Sequence, residues 1–155
     1  MYRAYRWLAR HIAKHRWGSA LVRLVYQPLD RALYRVTRGR RGLSSTREVL
    51  LLTSTGRKSG SPRQSPLIFV EDSGRYWVMG SNFGRDHHPA WTSNLLAHPE
   101  ATIQIGDRVE TVTARLADEA ETRELWPRLV EVYPPWDAYT EWTDRSFRLF
   151  ELTPR

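Results

Sequence analysis

The sequence predicts an α+β fold, a six-stranded antiparallel barrel with short helices at its ends. Two observations carry that prediction. From Glu48 onward, six apolar stretches of strand length recur, bounded by turns rich in Gly, Pro, Asp and Ser. Between them lie only two stretches with helical spacing, too few for alternating βαβ units and a parallel sheet. A chain of 155 residues with 41% apolar residues has the size and composition of one folded domain with its own core.

The N-terminal 42 residues read differently. "MYRAYRWLARHIAKHRW" places Tyr5, Leu8, Ile12 and Ala13 on one helical face, with Arg3, Arg6, Arg10 and Lys14 largely on others. A second helix, about Gly18 to Val36, repeats the mixture around Pro28. Residues 1–42 are thus predicted to form a basic amphipathic helical segment, joined to a domain over 43–155 through the hinge "RGRRGLSS" at Arg38–Ser45. Two placements suit such helices: the headgroup level of an anionic membrane, or the surface of the domain itself. No uncharged run there exceeds the six residues of Trp17 to Val22, too short for a secretory signal core or a membrane span. A cytoplasmic protein is expected, with a peripheral seat on the inner face of the cell membrane as one option for residues 1–40.

The body follows strand by strand. "EVLLLTST" and "SPLIFVED" flank a Gly-Arg-Lys-Ser-Gly turn, and "RYWVMGSN" after the turn at Asp72–Gly74 completes a meander. "GRDHHPAWTSNLLAHPE" holds a short helix with Pro89 as an early helical residue and Pro99 closing it. "ATIQIGDRVETVTARLA" is a hairpin about Gly106-Asp107. In "DEAETRELWPRLVEVYPPW", Asp118 as N-cap and Glu121 three residues on have the spacing of a capping box. Trp126, Leu129, Val130 and Tyr133 form the apolar side of that helix, and "SFRLFELTP" is the last strand.

Charge divides the chain. The net charge is +7, but residues 1–63 hold fifteen Lys/Arg against two acids, whereas 64–155 hold nine against fifteen. One cationic pole suits a polyanionic ligand, an anionic membrane or nucleic acid. No helix-turn-helix or zinc-finger spacing is present, so no nucleic-acid partner is expected. The absence of cysteine excludes disulfides, thiolate metal sites and a cysteine nucleophile.

The densest basic stretch is "TSTGRKSGSPRQSP", Thr53 to Pro66. Its composition suits a cradle for phosphate or carboxylate, but taken alone it favours a solvated hairpin turn. A P-loop is excluded, because the glycine needed five residues before Gly56 is Leu51 and a strand follows in place of a helix. No GxGxxG fingerprint of a dinucleotide site is present. Asp86-His87-His88 lacks further ligands at metal-binding spacing, and no metal is expected. "GSNFG" is not a nucleophile elbow, and no serine triad is visible. A bound cofactor is the remaining source of reactivity.

Three stretches taken together, "LLTSTGRKSGSPRQSPL", "VMGSNFGRDHHPAWTSNLLAHPE" and "ELWPRLVEVYPPWDAYTEWTDR", resemble one family: the deazaflavin (coenzyme F420)-dependent nitroreductases and quinone reductases of actinobacteria. The match runs from about Val49 to Pro154 in order. The resemblance implies a split β-barrel of the FMN-binding type and hydride transfer from reduced F420 to a quinone, nitroaromatic or enone-like acceptor. It implies that Arg57, Lys58 and Ser59 hold the cofactor's phosphate region, continued by Arg63, Gln64, Ser65, Pro66 and Leu67. Met79, Gly80, Ser81 and Asn82 match the strand end beside the deazaflavin ring, and Ala90, Trp91, Thr92, Ser93 and Asn94 the helix facing it. Ile68, Ser81, Tyr133, Trp136 and Tyr139 fall on the acceptor pocket, with Ser81 and Tyr133 as the catalytic candidates. Three positions depart from the family pattern: Trp136 stands where tyrosine is usual, Ile68 replaces an aromatic, and Asn82 replaces a cation. The alternatives are an FMN- or haem-binding split-barrel protein without reductase activity, and a membrane-surface adaptor using the basic N-terminal segment.

Overall fold

The computed structural model describes residues 49–155. The amphipathic segment expected over 1–42, its hinge and the boundary at 42/43 lie outside the described residues. Six strands close into a barrel in the order β1-β2-β3-β6-β5-β4, every neighbour antiparallel. They are β1 (Val49–Thr55), β2 (Pro62–Asp72), β3 (Arg75–Gly80), β4 (Glu100–Ile105), β5 (Arg108–Leu116) and β6 (Arg148–Pro154). Three helices accompany them: α1 (Ala90–Ala97), α2 (Glu119–Val132) and α3 (Pro135–Thr140). Among the described residues no helix is long and apolar enough to cross a membrane.

Period-two alternation divides the apolar residues between two cores. Leu50, Leu52, Tyr76, Val78, Phe150 and Leu152 join Trp91 and Leu95 of α1 in one buried cluster. Residues of opposite parity, Trp77, Met79 and Leu149, pack with Leu125 and Leu129 of α2 and with Trp136 and Tyr139 of α3 in the other. Glu151 shares that parity and is 4% exposed, yet it is compensated: Arg75 donates to it at 2.7 Å, and Arg115 through Nε at 2.8 Å.

The six strands and their barrel arrangement are those expected, with local corrections. β2 starts at Pro62 instead of Ser65, so Arg63 and Gln64 belong to the strand and the basic turn shrinks to residues 56–61. Gly56 N–H donates to Ser61 O (2.8 Å), and Gly60 N–H to Gly56 O (2.7 Å) with Gly60 at φ +66°, which closes the hairpin early. β2 also changes partner, pairing with β1 through residue 68 and with β3 from Phe69.

β3 stops at Gly80 and does not run on to Asn82, because Asn82, Phe83 and Gly84 all have left-handed φ values (48°, 56° and 69°) in a short 3-10 turn. Pro89 is the N-cap of α1 instead of a residue inside it, and His98 caps the other end before Pro99. The capping box of α2 is present: Glu121 N–H donates to Asp118 Oδ1 (2.8 Å) and Asp118 N–H to Glu121 Oε2 (2.9 Å). Its buried stripe is Leu125 and Leu129, whereas Trp126, Val130 and Tyr133 are only half-buried. Pro134 and Pro135 break the C-terminal aromatic stretch into the separate helix α3.

Candidate active site

Two tethers fix the walls of a cavity beside the closed barrel. The first is a buried amide. Asn94 on α1 accepts from Arg57 N–H (3.1 Å) and donates to Ser54 Oγ (3.2 Å); Asn94 is 6% exposed and Ser54 1%. The base of the basic turn is thereby held against α1. The second is Arg145, in the loop between α3 and β6, which donates to the carbonyls of Ser81 (2.8 Å), Arg85 (3.0 Å) and Gly80 (3.3 Å). These bonds, with that from Asn82 Nδ2 to His87 O (2.9 Å), hold the three left-handed residues in place. Gly80 supplies the close approach between β3 and α1, because a Cβ there would lie 2.6 Å from Thr92 Cγ2.

The cavity enclosed by these segments has a volume of about 630 Å³, within the usual range for small-molecule sites. Its wall takes Arg57, Ser65, Pro66, Leu67 and Ile68 from the β1–β2 hairpin, and Met79, Ser81, Asn82 and Phe83 from the end of β3. His87, His88, Pro89, Ala90, Trp91, Ser93 and Asn94 contribute from the loop and α1, and Tyr133, Trp136 and Tyr139 from α2–α3. Of the residues singled out in the sequence, Lys58, Ser59, Arg63 and Gln64 are exposed on the hairpin outside this wall, while Gly80 and Thr92 pack against each other behind it. Sequence reasoning missed Phe83, His87, His88, Pro89 and the clamp Arg145. The available signal was position: the first four lie inside the second of the three stretches, and Arg145 ends the third.

The aromatic part of the wall is ordered by its own contacts. The Tyr133 and Trp136 rings meet edge to face at 5.3 Å, and the Tyr133 and Tyr139 hydroxyls are 3.2 Å apart. Burial pushes the Tyr139 phenol up to about 12, the hydrogen bond with Tyr133 opposing only part of that rise. Tyr139 therefore stays protonated at neutral pH. His88 is held below its ordinary value, first by burial and then by the charges of Arg148 and Arg145. Among the described residues no group of His, Asp and Glu could hold a metal ion.

The model of the family described as F420H(2)-dependent quinone reductase matches residues 28–154. The chain belongs to that family. It is accordingly an F420H2-dependent oxidoreductase with coenzyme F420 as its cofactor. An F420H(2)-dependent quinone reductase of Mycobacterium tuberculosis is 32% identical over 147 residues, which span 92% of this chain and 91% of that one. A solved F420-H2 dependent reductase is 39% identical with a TM-score of 0.63, over 68% of this chain and 94% of its own. The haem storage protein HutZ of Vibrio cholerae aligns at a TM-score of 0.55 over 82% of this chain and 90% of its own, but at 17% identity that likeness shows the shared barrel alone.

Proposed function

We propose that the protein reduces quinones with F420H2 in the cavity between the hairpin, α1 and α3, and accepts nitroaromatic and enone-like compounds as well. One observation carries this reading: a single cavity is walled both by a cation on a tethered basic turn, Arg57, and by three aromatic side chains, Tyr133, Trp136 and Tyr139. A flat cofactor with an anionic phosphodiester tail fits that donor set. Arg57 takes the phosphate region, assisted from the exposed face of the hairpin by Lys58, Ser59 and Arg63, while Gln64 to Leu67 continue the strand below. Met79 to Asn82 and Ala90 to Asn94 flank the ring, where the hydroxyl of Ser93 and the amide of Asn94 supply neutral polar contacts.

Bound F420H2 supplies the hydride. Ile68, Tyr133, Trp136 and Tyr139 hold a flat acceptor against it and keep water out, which sets the reacting atoms at near-attack distance. Hydride addition leaves negative charge on an acceptor oxygen, and one proton completes the reduction. Tyr133 Oη, backed by the protonated Tyr139 Oη, or Ser81 Oγ gives that proton, and water restores it. The bulk of Trp136 and the aliphatic Ile68 narrow the choice of acceptor. Asn82, which stands where relatives carry a cation, is engaged with the backbone of His87 and acts as a loop tie.

The test is direct. Pure protein is titrated in parallel with F420, FMN and haem, and F420H2 oxidation is followed with menadione, a nitroaromatic and cyclohexenone. Absence of F420 binding at micromolar concentration overturns the proposal, and tight FMN or haem binding in its place favours the alternative. Arg57→Ala with Lys58→Ala weakens F420 binding by about 2–4 kcal/mol; unchanged affinity would return the turn to a solvated hairpin. The ten Lys/Arg and single acid of residues 1–40 support peripheral contact with an anionic membrane. Deleting residues 1–40 abolishes binding to phosphatidylglycerol liposomes and leaves F420 turnover intact if that segment is an anchor.

A further inference from the structure

A second cavity, about 970 Å³, opens where the first turns of α2 face the segment from Thr140 at the end of α3 to Leu149 in β6, and His88 borders both cavities. Its charges are unusual for this molecule. Among the described residues, Arg145 and Arg148 are the two arginines that are not exposed, and both line this cavity. Arg75, Arg108, Arg115, Arg128 and Arg155 are exposed and each pairs with a carboxylate, whereas no carboxylate among the described residues pairs with Arg145 or Arg148. The two recessed cations lie in one another's field, and Asp86 offsets only part of that repulsion at Arg145; the remainder costs folding energy that a bound anion relieves.

Their donors are not equally occupied. Arg145 spends its N–H groups on backbone carbonyls and on His88 Nδ1 (2.8 Å). Arg148 makes one contact, to Thr92 Oγ1 at 3.3 Å, so most of the five donors of its guanidinium remain for a ligand. Because a guanidinium only donates, His88 Nδ1 accepts, and the proton of the neutral ring sits on Nε2, a further donor. The carboxylates of this cavity, on Asp118, Glu119 and Asp144, belong to exposed residues at its rim, and Asp118 is already engaged in capping α2. Solvent screens those acids more than it screens the recessed arginines. Half-buried Trp126 and exposed Leu116 add an apolar wall.

We propose that this second cavity binds an oxyanion carried on an apolar body, a carboxylate or a phosphate ester, with Arg148 and His88 taking the anion and Trp126 and Leu116 the body. The site is separate from the first cavity, and His88 is the one residue that lines both.

Calorimetry on the full chain saturated with F420, which fills the first cavity, tests this with octyl phosphate, octanoate, inorganic phosphate and octan-1-ol as probes. Octyl phosphate and octanoate should bind saturably and octan-1-ol should not. Arg148→Gln should weaken both anions about tenfold or more, and Arg148→Lys should restore part of that loss in a chain whose unfolding temperature is unchanged. Trp126→Ala should weaken octyl phosphate and leave inorganic phosphate as it was. Failure of both amphiphilic anions to bind, or binding indifferent to Arg148→Gln, overturns the proposal. Inorganic phosphate binding as tightly as octyl phosphate overturns its apolar half and identifies a plain phosphate site.

Discussion

Asn94→Ala probes the link between the core and the basic turn. Asn94 is 6% exposed and makes two bonds, from Arg57 N–H at 3.1 Å and to Ser54 Oγ at 3.2 Å. The exposed turn lets water replace the first partner. Ser54, 1% exposed, keeps only a 3.5 Å contact to Arg63 O. Two lost hydrogen bonds at about 1 kcal/mol net each, plus part of the penalty for a stranded buried hydroxyl, give a loss of about 2–3 kcal/mol. Urea unfolding followed by tryptophan fluorescence reads this as a lower midpoint at constant slope. A cycle with Ser54→Ala isolates a coupling of about 1 kcal/mol between the two side chains. F420 affinity measured on the same variants should fall with the tether. A stability loss below about 0.5 kcal/mol would refute the bridge. A full stability loss with unchanged F420 affinity would refute the turn as a cofactor cradle and leave Asn94 a purely structural residue.

Gly80→Ala forces a Cβ to within 2.6 Å of Thr92 Cγ2 and 3.2 Å of Arg148 O, so it should cost about 1–3 kcal/mol in thermal unfolding; Thr92→Ser in that background should recover part, and no recovery would contradict the contact. Arg145→Ala removes the donors to Gly80, Ser81 and Arg85 carbonyls, and hydrogen exchange should then rise over residues 80–88 beyond any global change. Hydrogen bonding to Arg115 holds the Glu121 carboxyl down at about 2, below its ordinary 4.5. A carboxyl depressed in the folded state stabilises above its unfolded value, so this contribution is complete above pH 4.5 and disappears as pH falls toward 2. Glu121→Gln should therefore flatten the acid limb of urea midpoint against pH over that window, and an unchanged limb would refute the assignment.

The barrel was legible because its signals are local. Alternation in "EVLLLTST" and "SFRLFELTP" sorts inward from outward residues, Gly106-Asp107 specifies a two-residue turn, and Asp118 with Glu121 announces α2. What escaped is non-local. "RYWVMGSN" has no residue that stops a strand at Gly80; the stop comes from left-handed backbone clamped by Arg145, more than sixty positions away. The strand expected from Ser65 begins at Pro62, and this first part of β2 pairs only with β1 and leaves its other edge unpaired, where the missing N–H groups of Pro62 and Pro66 are tolerated. The buried stripe of α2 is centred one residue earlier, on Leu125 in place of Trp126, so the tryptophan packs half-buried at the edge of the core and borders the second cavity.

The basic turn shows how the two kinds of signal combine. Read locally, "TGRKSG" favours a solvated hairpin over a cradle, and Lys58 and Ser59 are exposed and outside the cavity wall. Arg57 is distinguished from them by two polar residues in apolar surroundings: Ser54, closing the run that holds Leu50, Leu51 and Leu52, and Asn94, set between Trp91 and Leu95 on α1. A buried hydroxyl and a buried amide forty positions apart need partners, and the register that places Ser54 opposite Arg63 and Ala101 lets them find each other beside the turn. The pairing costs two polar burials and returns a fixed backbone at Arg57. On the proposed cofactor reading, that exchange favours Arg57, which lines the cavity, over Lys58, which lies outside it.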